Sequence, residues 1–475
     1  MGIINIFRKK DKIKQEVTEL PNTNVSEKKA DLKPTHTLPD YLRIPRSYID
    51  PAPVKSDNEP ENDTKEQPEN KIDDNQIIEK LNIKSQVTDI ATDNDSIMAD
   101  FFSDQYTKPE AASDPHPGSV FILESRSMVC NIEAYVDKND SCYYFYLCSN
   151  PLSLQAKIKC CWVCNRKPAP EKVNFEDLRN GASPMMPAEY VAHDPAGIEL
   201  DEKSLNIVWF EDGDSAALLS GNDVLCIIPG WSGMRSFHGY SKYALGAGPF
   251  AWEIAGALEK LSVRIEYSKR LWNYFGAKEH SDAWMLTQQA RAIPFVGTHE
   301  NDFPISRGKF PPKVITTGER NGVVYGVTAG VSMISMPTVD FRVDGDPKDY
   351  KRIELGFAAL EKYRNICQAM YKNLTLYSDL PWEQITFISH GNTIPLDNID
   401  GYAAVIFINA RNIDGLESPS YRDFPDGSVV NMLWAVPITL EEYNFTLEKS
   451  SEDLLKYAYD LSNIHIYDGQ KKFMI

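Results

Sequence analysis

The chain has 475 residues, with 50 Lys and Arg against 68 Asp and Glu, and a net charge of −18. That length exceeds one ordinary domain, and so acidic a surface repels phosphate backbones, which argues against nucleic-acid binding. The longest apolar runs, such as Ala403–Ile408, are too short to span a bilayer, so no stable membrane insertion is expected. No basic stretch leads into an apolar one at the start, so a cytoplasmic location and eight reduced cysteines are expected.

Residues 1–116 read as a disordered acidic and polar tail. They hold 10 of the 30 prolines, with 16 basic and 23 acidic residues, and neither Cys nor Trp. Such a segment buries too little apolar surface to offset the entropy of ordering it. Three islands interrupt it: Gly2–Phe7 followed by Arg8-Lys9-Lys10, then Leu38–Asp50, then Asp95–Tyr106. Each reads either as a docking peptide, for a partner or for the protein's own body, or as plain linker.

From Pro117 the pattern turns β-rich. Strands are predicted at Ser119–Glu124, Val129–Val136, Cys142–Leu147, Gln155–Val163, Leu205–Phe210 and Val224–Ile228. Ile158, Cys160 and Trp162 alternate with Lys157, Lys159 and Cys161, the period of a pleated strand. A helix is predicted from Pro249, with Ile254, Leu258, Leu261, Ile265, Trp272 and Phe275 on one face and Gly276 as its stop. A Gly- and Pro-rich loop is expected at Pro294–Pro312. Beyond it come strands at Val323–Thr328, Val339–Val343 and Lys351–Phe357, and a helix at Ala359–Tyr377. Strands at Ile385–Ser389, Ala403–Asn409 and Val429–Val436 follow. Thr439-Leu-Glu-Glu442 has the form of a capping box, and Leu454, Ala458 and Leu461 predict a final helix. The expected fold is α/β of the α+β type: two mixed-sheet domains, 117–292 and 293–475, with helices packed on the sheets.

The candidate chemistry is sparse. Gly230-Trp-Ser-Gly233 resembles part of a nucleophile elbow, but Met234 stands where the last Gly is needed. One reading is a hydrolase-like enzyme using Ser232, His238 and a carboxylate of the Glu211–Asp214 turn. Another has Trp231, His238 and Tyr240 lining a recognition surface, and a third has Trp231 pinning the loop to the core. Cys161 and Cys164 lack the second pair that structural zinc usually needs, so buried thiols and no metal are expected. His390-Gly-Asn392 reads as a turn, with His390 and Asn392 as candidate partner contacts. Glu354 is expected to pair with Arg342 or Arg352, or to be buried in a cleft. Glu211-Asp-Gly-Asp214 reads as a solvated hairpin turn or a cation site. No motif for a nucleotide, a flavin or a catalytic metal appears, so no cofactor is expected.

Four stretches carry a resemblance to a known family. They are Lys351-Arg-Ile-Glu-Leu-Gly-Phe357, Leu380-Pro-Trp-Glu-Gln-Ile-Thr-Phe-Ile-Ser-His-Gly-Asn-Thr-Ile-Pro395, Ala403-Ala-Val-Ile-Phe407 and Val430-Asn-Met-Leu-Trp-Ala-Val-Pro-Ile-Thr-Leu-Glu-Glu442. In that order and spacing they resemble the suppressor of fused family. Cys161-Trp-Val-Cys-Asn165, Trp209–Asp214, Ile228–Gly233 and His238-Gly-Tyr240 look like the amino-terminal half of longer bacterial members. The resemblance implies a binding protein without a catalytic residue. Animal members restrain Gli-type transcription factors by holding an extended peptide between two domains. Bacterial members are thought to act as immunity proteins against polymorphic toxins. A protein partner, either a basic toxin or a peptide segment, is therefore expected, with a scaffold acting through the tail as an alternative.

Overall fold

The computed structural model describes residues 119–151, 156–176, 183–396 and 398–474. The three islands of the amino-terminal tail lie outside them. The described residues build mixed sheets with helices packed on them, as the patterning predicts.

The first sheet is an antiparallel meander of β1 (Val120–Arg126), β2 (Ile132–Lys138), β3 (Cys142–Ser149) and β4 (Lys157–Asn165). Ile132, Ala134 and Val136 are buried at period 2, and nearly all of β3 is buried. The second sheet joins β5 (Leu205–Trp209), β6 (Ala216–Ser220), β7 (Asp223–Ile228), β8 (Tyr240–Ser241) and β9 (Trp252–Glu253). Helix α1 (Ala255–Phe275) follows, starting later than the predicted Pro249 because Trp252 and Glu253 pair in β9. Of the predicted face, Leu261, Ile265 and Phe275 are buried, Leu258 and Trp272 are half-buried, and Leu271 is buried beside them. After Gly276 the chain enters a second helix, α2 (Lys278–Val296), which carries Pro294 inside it.

The third sheet has the order β10 (Thr298–Pro304), β11 (Val314–Arg320), β12 (Val323–Ala329), β13 (Arg352–Leu360), β16 (Val430–Ile438), β15 (Ala404–Asn409) and β14 (Thr393–Pro395). β13 and β16 run parallel in its centre, and a short strand β17 (Ile466–Tyr467) also pairs with β13. Strand period 2 divides the centre between two cores. Ile353, Leu355, Phe357, Val405, Phe407, Leu433 and Ala435 join one, with Cys367, Met370 and Leu374 of helix α4 (Arg364–Tyr377). Ala358, Ile406, Ile408, Met432, Trp434 and Val436 join the other, with Ala292, Phe295 and Val296 of α2. Strands buried on both faces read as continuous apolar runs, which is why β13, β15 and β16 are legible.

Five expectations change. The loop predicted at Pro294–Pro312 contains β10, because pairing to β11 supplies the backbone partners that composition hides. Val339–Val343 is a short helix, α3 (Val339–Arg342), instead of a strand. Thr338 sits at φ 66°, and its N–H donates to Asp214, which turns the chain there. The helix predicted from Ala359 starts at Arg364, because β13 stays paired to β12 as far as Leu360. Ile385–Ser389 forms no strand: helix α5 (Leu380–Gln384) ends on Ile385 at φ 52°, and Thr393–Pro395 takes the place beside β15. The final helix breaks up. Helix α6 (Leu440–Glu448) has the full Thr439/Glu442 capping box, α7 (Ser451–Leu455) is short, and Ala458 bridges to Phe473.

Candidate functional site

The acidic turn between β5 and β6 is buried: Glu211, Asp212 and Asp214 are at most 5% exposed. The solvated reading of this turn is therefore corrected. Gly213, at φ 75°, lets the chain fold tightly under Ser127 and Val129, where a Cβ would collide. Ser127 Oγ donates to the Gly213 carbonyl at 2.8 Å, and Phe210 N–H closes the turn on the Ser215 carbonyl.

Buried carboxylates need cations or several donors. Arg264 of α1 supplies the first cation. Its Nε lies 2.9 Å from Glu211 Oε2, Nη2 2.6 Å from Asp212 Oδ2, and Nη1 2.9 Å from Asp340 Oδ2. Its guanidinium also lies 4.7 Å from the Phe210 ring centroid. Lys351, just before β13, adds Nζ at 2.9 Å from Asp340 Oδ1 and 3.4 Å from Glu211 Oε1. Ser268, one helical turn beyond Arg264, donates to Glu211 Oε2 at 3.2 Å. Burial alone would raise the Glu211 carboxyl, but Arg264 and Lys351 outweigh it and hold it down at about 2. Asp212 goes the other way: burial and then the Asp214 charge push it well above its ordinary value. Lys159 of β4, whose Nζ donates to the Gly230 carbonyl at 2.8 Å, adds a third cation facing Asp214 and Asp212. Oxygens of Glu211, Asp212 and Asp340 lie within 4.8 Å of one another, the spacing of a cation site. The Arg264 guanidinium touches all three and fills that role.

A second set of contacts runs beside the first. Arg352 is fully buried and donates to the carbonyls of Ser332 and Met333, to Ser428 Oγ and to Asp426, with its guanidinium 3.4 Å from the Phe424 centroid. Tyr267 of α1 donates to the same Asp426 at 2.9 Å. Arg264 and Tyr267, three residues apart, therefore fasten one face of α1 to the start of β13. Glu354 is also fully buried, but it pairs with neither Arg342 nor Arg352. It accepts from Thr328 Oγ1, Gly330 N–H, Ser332 N–H and Ser332 Oγ at 2.6–3.0 Å. A strand alternation puts Glu354 and Arg352 on one face, yet Arg352 is committed to two carbonyls, Ser428 and Asp426. Burial still raises the Glu354 carboxyl despite these donors.

The loop after β7 carries the other predicted residues. Trp231 is 4% exposed and packs with Phe210, Ile227 and Phe237, while its ring N–H faces the Tyr240 hydroxyl. Its area is spent on pinning the loop. Ser232 donates its hydroxyl to the His238 carbonyl oxygen, and the His238 ring instead faces Cys160, with Nδ1 3.9 Å from its Sγ. Serine and imidazole therefore do not form a nucleophile–base pair. Burial lowers His238 and raises Cys160, so both are held neutral. His238 and Tyr240 are half-buried. A small crevice beside Trp231 is lined by Asp214, Gly230, Arg264, Thr338 and Phe341, and a Cβ on Gly230 would press on the Asp214 carboxylate at 3.1 Å.

His390 and Asn392 lie far along the chain in a turn zipped to β15. Asn409 N–H donates to His390 Nδ1 at 3.1 Å, and Asn392 Oδ1 accepts from Ser389 N–H at 2.8 Å. The turn reading matches this geometry. All eight cysteines are free thiols in the described structure. Arg264, Asp340 and Lys351 escape sequence reasoning. The signal that points to Arg264 is a cation inside the apolar stripe of α1, next to Ile265.

The exposed edges complete the picture. Every residue of β10 is exposed, and it pairs on one side with β11 alone. It carries Glu300, Asp302 and a 45% exposed Phe303, with a bulge between His299 and Asn301.

Among known proteins, the family described as suppressor of fused protein matches residues 311–470. A crystal structure of a suppressor of fused homologue from Neisseria gonorrhoeae is similar at 15% identity, covering 37% of this chain and 88% of that one, with a TM-score of 0.26. A likeness that loose carries no weight of its own. No curated protein matches the chain. No helix among the described residues is long and apolar enough to cross a membrane.

Proposed function

We propose, from the match of residues 311–470 to the suppressor of fused family, that this chain binds and sequesters a protein partner without performing chemistry on it. The family match is the observation that carries this reading, since a suppressor of fused domain implies a protein-binding role. The finer reading is an immunity protein that neutralises a polymorphic toxin in a bacterial cytoplasm. A net charge of −18 supports a basic partner, such as a nuclease-type toxin, because complementary charge speeds encounter and disfavours wrong partners.

Two surfaces suit the role. The β10 edge offers free backbone donors and acceptors to an added strand. Its bulge and Pro304 discourage edge-to-edge pairing with a second copy, while Glu300 and Asp302 are already engaged by Arg364, His299 and Thr316. The half-buried His238 and Tyr240, held by Trp231, and the His390–Asn392 turn are the proposed additional contacts. Commitment of the Ser232 hydroxyl to a carbonyl supports binding over hydrolysis.

Co-expression with the toxin encoded by a neighbouring gene tests the reading. Growth should be rescued, and a stoichiometric complex should co-elute on size exclusion. Purification of the full chain from its native host with no protein partner retained would overturn sequestration altogether. Capture of a partner without rescue would overturn only the immunity role.

A further inference from the structure

The end of the chain covers an edge inside the third sheet. β13 pairs with β16 from Arg352 to Gly356, after which the two strands part. β17 takes the vacated side, pairing in parallel with Ala358 and Ala359. It belongs to a strap over residues 464–474 held by the buried Ile464 and Phe473 and by two backbone bonds. These are Tyr459 N–H to the Lys472 carbonyl at 3.1 Å and Met474 N–H to the Tyr457 carbonyl at 2.8 Å. Tyr467 of the strap, 8% exposed, adds ring contacts to Phe357, Tyr363 and Tyr402.

His465 immediately precedes β17 and is 4% exposed. Its ring lies 4.7 Å from Trp434 of β16 and 6.4 Å from Tyr325 of β12, and neither nitrogen has a hydrogen-bond partner among the described residues. The charged groups facing it are Arg320, at the end of β11, and Lys472, across the strap. Both are cations, and their carboxylates, Glu417 and Asp468, are engaged with them. A proton on His465 therefore meets two like charges and no acceptor. The Trp434 face attracts an imidazolium only weakly compared with the cost of burying that charge unpaired.

We propose that His465 makes this strap an acid-released cover over the free edge of β13. While the ring is neutral it fills the space between Trp434 and Tyr325. When the pH falls, the proton binds the open form, where the ring reaches water, and the strap lifts. The backbone groups of Ala358 and Ala359 then lose their β17 partners. The pKa is consistent in direction and size: burial first, then Lys472 and Arg320, push the ring down to about 4.

Hydrogen exchange on the full chain, corrected for intrinsic rates, tests the device. With an ordinary value of 6.5 in the open form and about 4 in the closed one, the opening equilibrium rises about 30-fold between about pH 7.5 and about pH 5. Peptides spanning 461–474 should lose protection by that factor, while those of β11 and β12 keep theirs. In His465→Phe the strap should lose its pH dependence. An equal loss along the whole chain, no loss in the strap, or an unchanged pH response in the variant would each overturn the proposal. Should the variant not fold, ring NMR of the wild type decides: a ring neutral below pH 5 supports the device, and titration near 6.5 refutes it.

Discussion

Glu211 and Glu354 are both buried carboxylates, and the protein solves the same problem in two ways. Glu211 sits among charges, with Arg264 and Lys351 against its oxygens. Glu354 sits among neutral donors, two hydroxyls and two backbone N–H groups. The first solution lowers the carboxyl and the second leaves it raised. Full charges overcome desolvation, while four neutral hydrogen bonds do not. The first also spans distant parts of the chain, from residue 211 through 264 to 351, whereas the second is confined to β12, β13 and the turn between them. Charge is therefore used where separate elements must be joined, and neutral donors where one turn must be shaped.

The largest test removes the cation. Arg264→Met leaves Glu211 and Asp340 with Lys351 and Asp212 without its ion-pair partner, and should cost about 3–5 kcal/mol in urea unfolding at neutral pH. A loss below about 1 kcal/mol would mean that the charges relax into water and join nothing.

Glu211→Gln should cost less, about 2–3 kcal/mol, because it also relieves the excess of carboxylates. Its pH dependence has a definite sign. The folded value of about 2 lies below the ordinary 4.5, so the stabilisation is complete above 4.5 and is lost as the pH falls toward 2. The gap between wild type and Glu211→Gln should therefore narrow in acid.

Glu354→Gln should cost about 1–2 kcal/mol at neutral pH, since one amide oxygen must serve donors that two carboxylate oxygens now serve. Here the slope reverses. A raised folded value means that the folded state binds the proton first, so wild type gains on the variant as the pH falls toward 4.5. Parallel slopes for the two variants in thermal melts would erase the distinction between the two sites.

The smallest effect is expected for Asp212→Asn. Burial and the Asp214 charge push the Asp212 carboxyl well above its ordinary value, which eases its replacement by a neutral amide. A melting temperature within about 2 °C of wild type is expected, as for a change under about 0.5 kcal/mol in a chain this long. A large drop would show that Asp212 is ionised and that Arg264 answers to it as much as to Glu211.

Much of the fold was legible from residue pattern. β2 and α1 follow their periods, whereas β4 does not alternate, with Ile158 exposed and Cys161 buried, and the Thr439/Glu442 box marks the start of α6 within the chain's own local chemistry. β10 was not legible, because an exposed polar edge strand has the composition of a loop and is a strand only through its neighbour. Ile385–Ser389 and Val339–Val343 misled for the opposite reason. Their apolar residues suit a strand, but the backbone turns at Ile385, which ends α5, and at Thr338, which Asp214 holds. Of the candidate site, the Glu211–Asp214 turn was visible as a cluster, while its burial and its cations were not.

Local order, therefore, was written into the chain: which segments alternate, which wind, which residues cap, and the motif series within residues 311–470, which match the suppressor of fused family. Tertiary structure alone decided which charges meet. Arg264 finds Glu211, Asp212 and Asp340 across separations of 53, 52 and 76 residues, and Glu354 finds Ser332 instead of a neighbouring arginine. The reason is physical. Periodicity is set by the backbone within a few residues, whereas the partner of a buried charge is chosen by desolvation, which acts only once distant elements have closed around it.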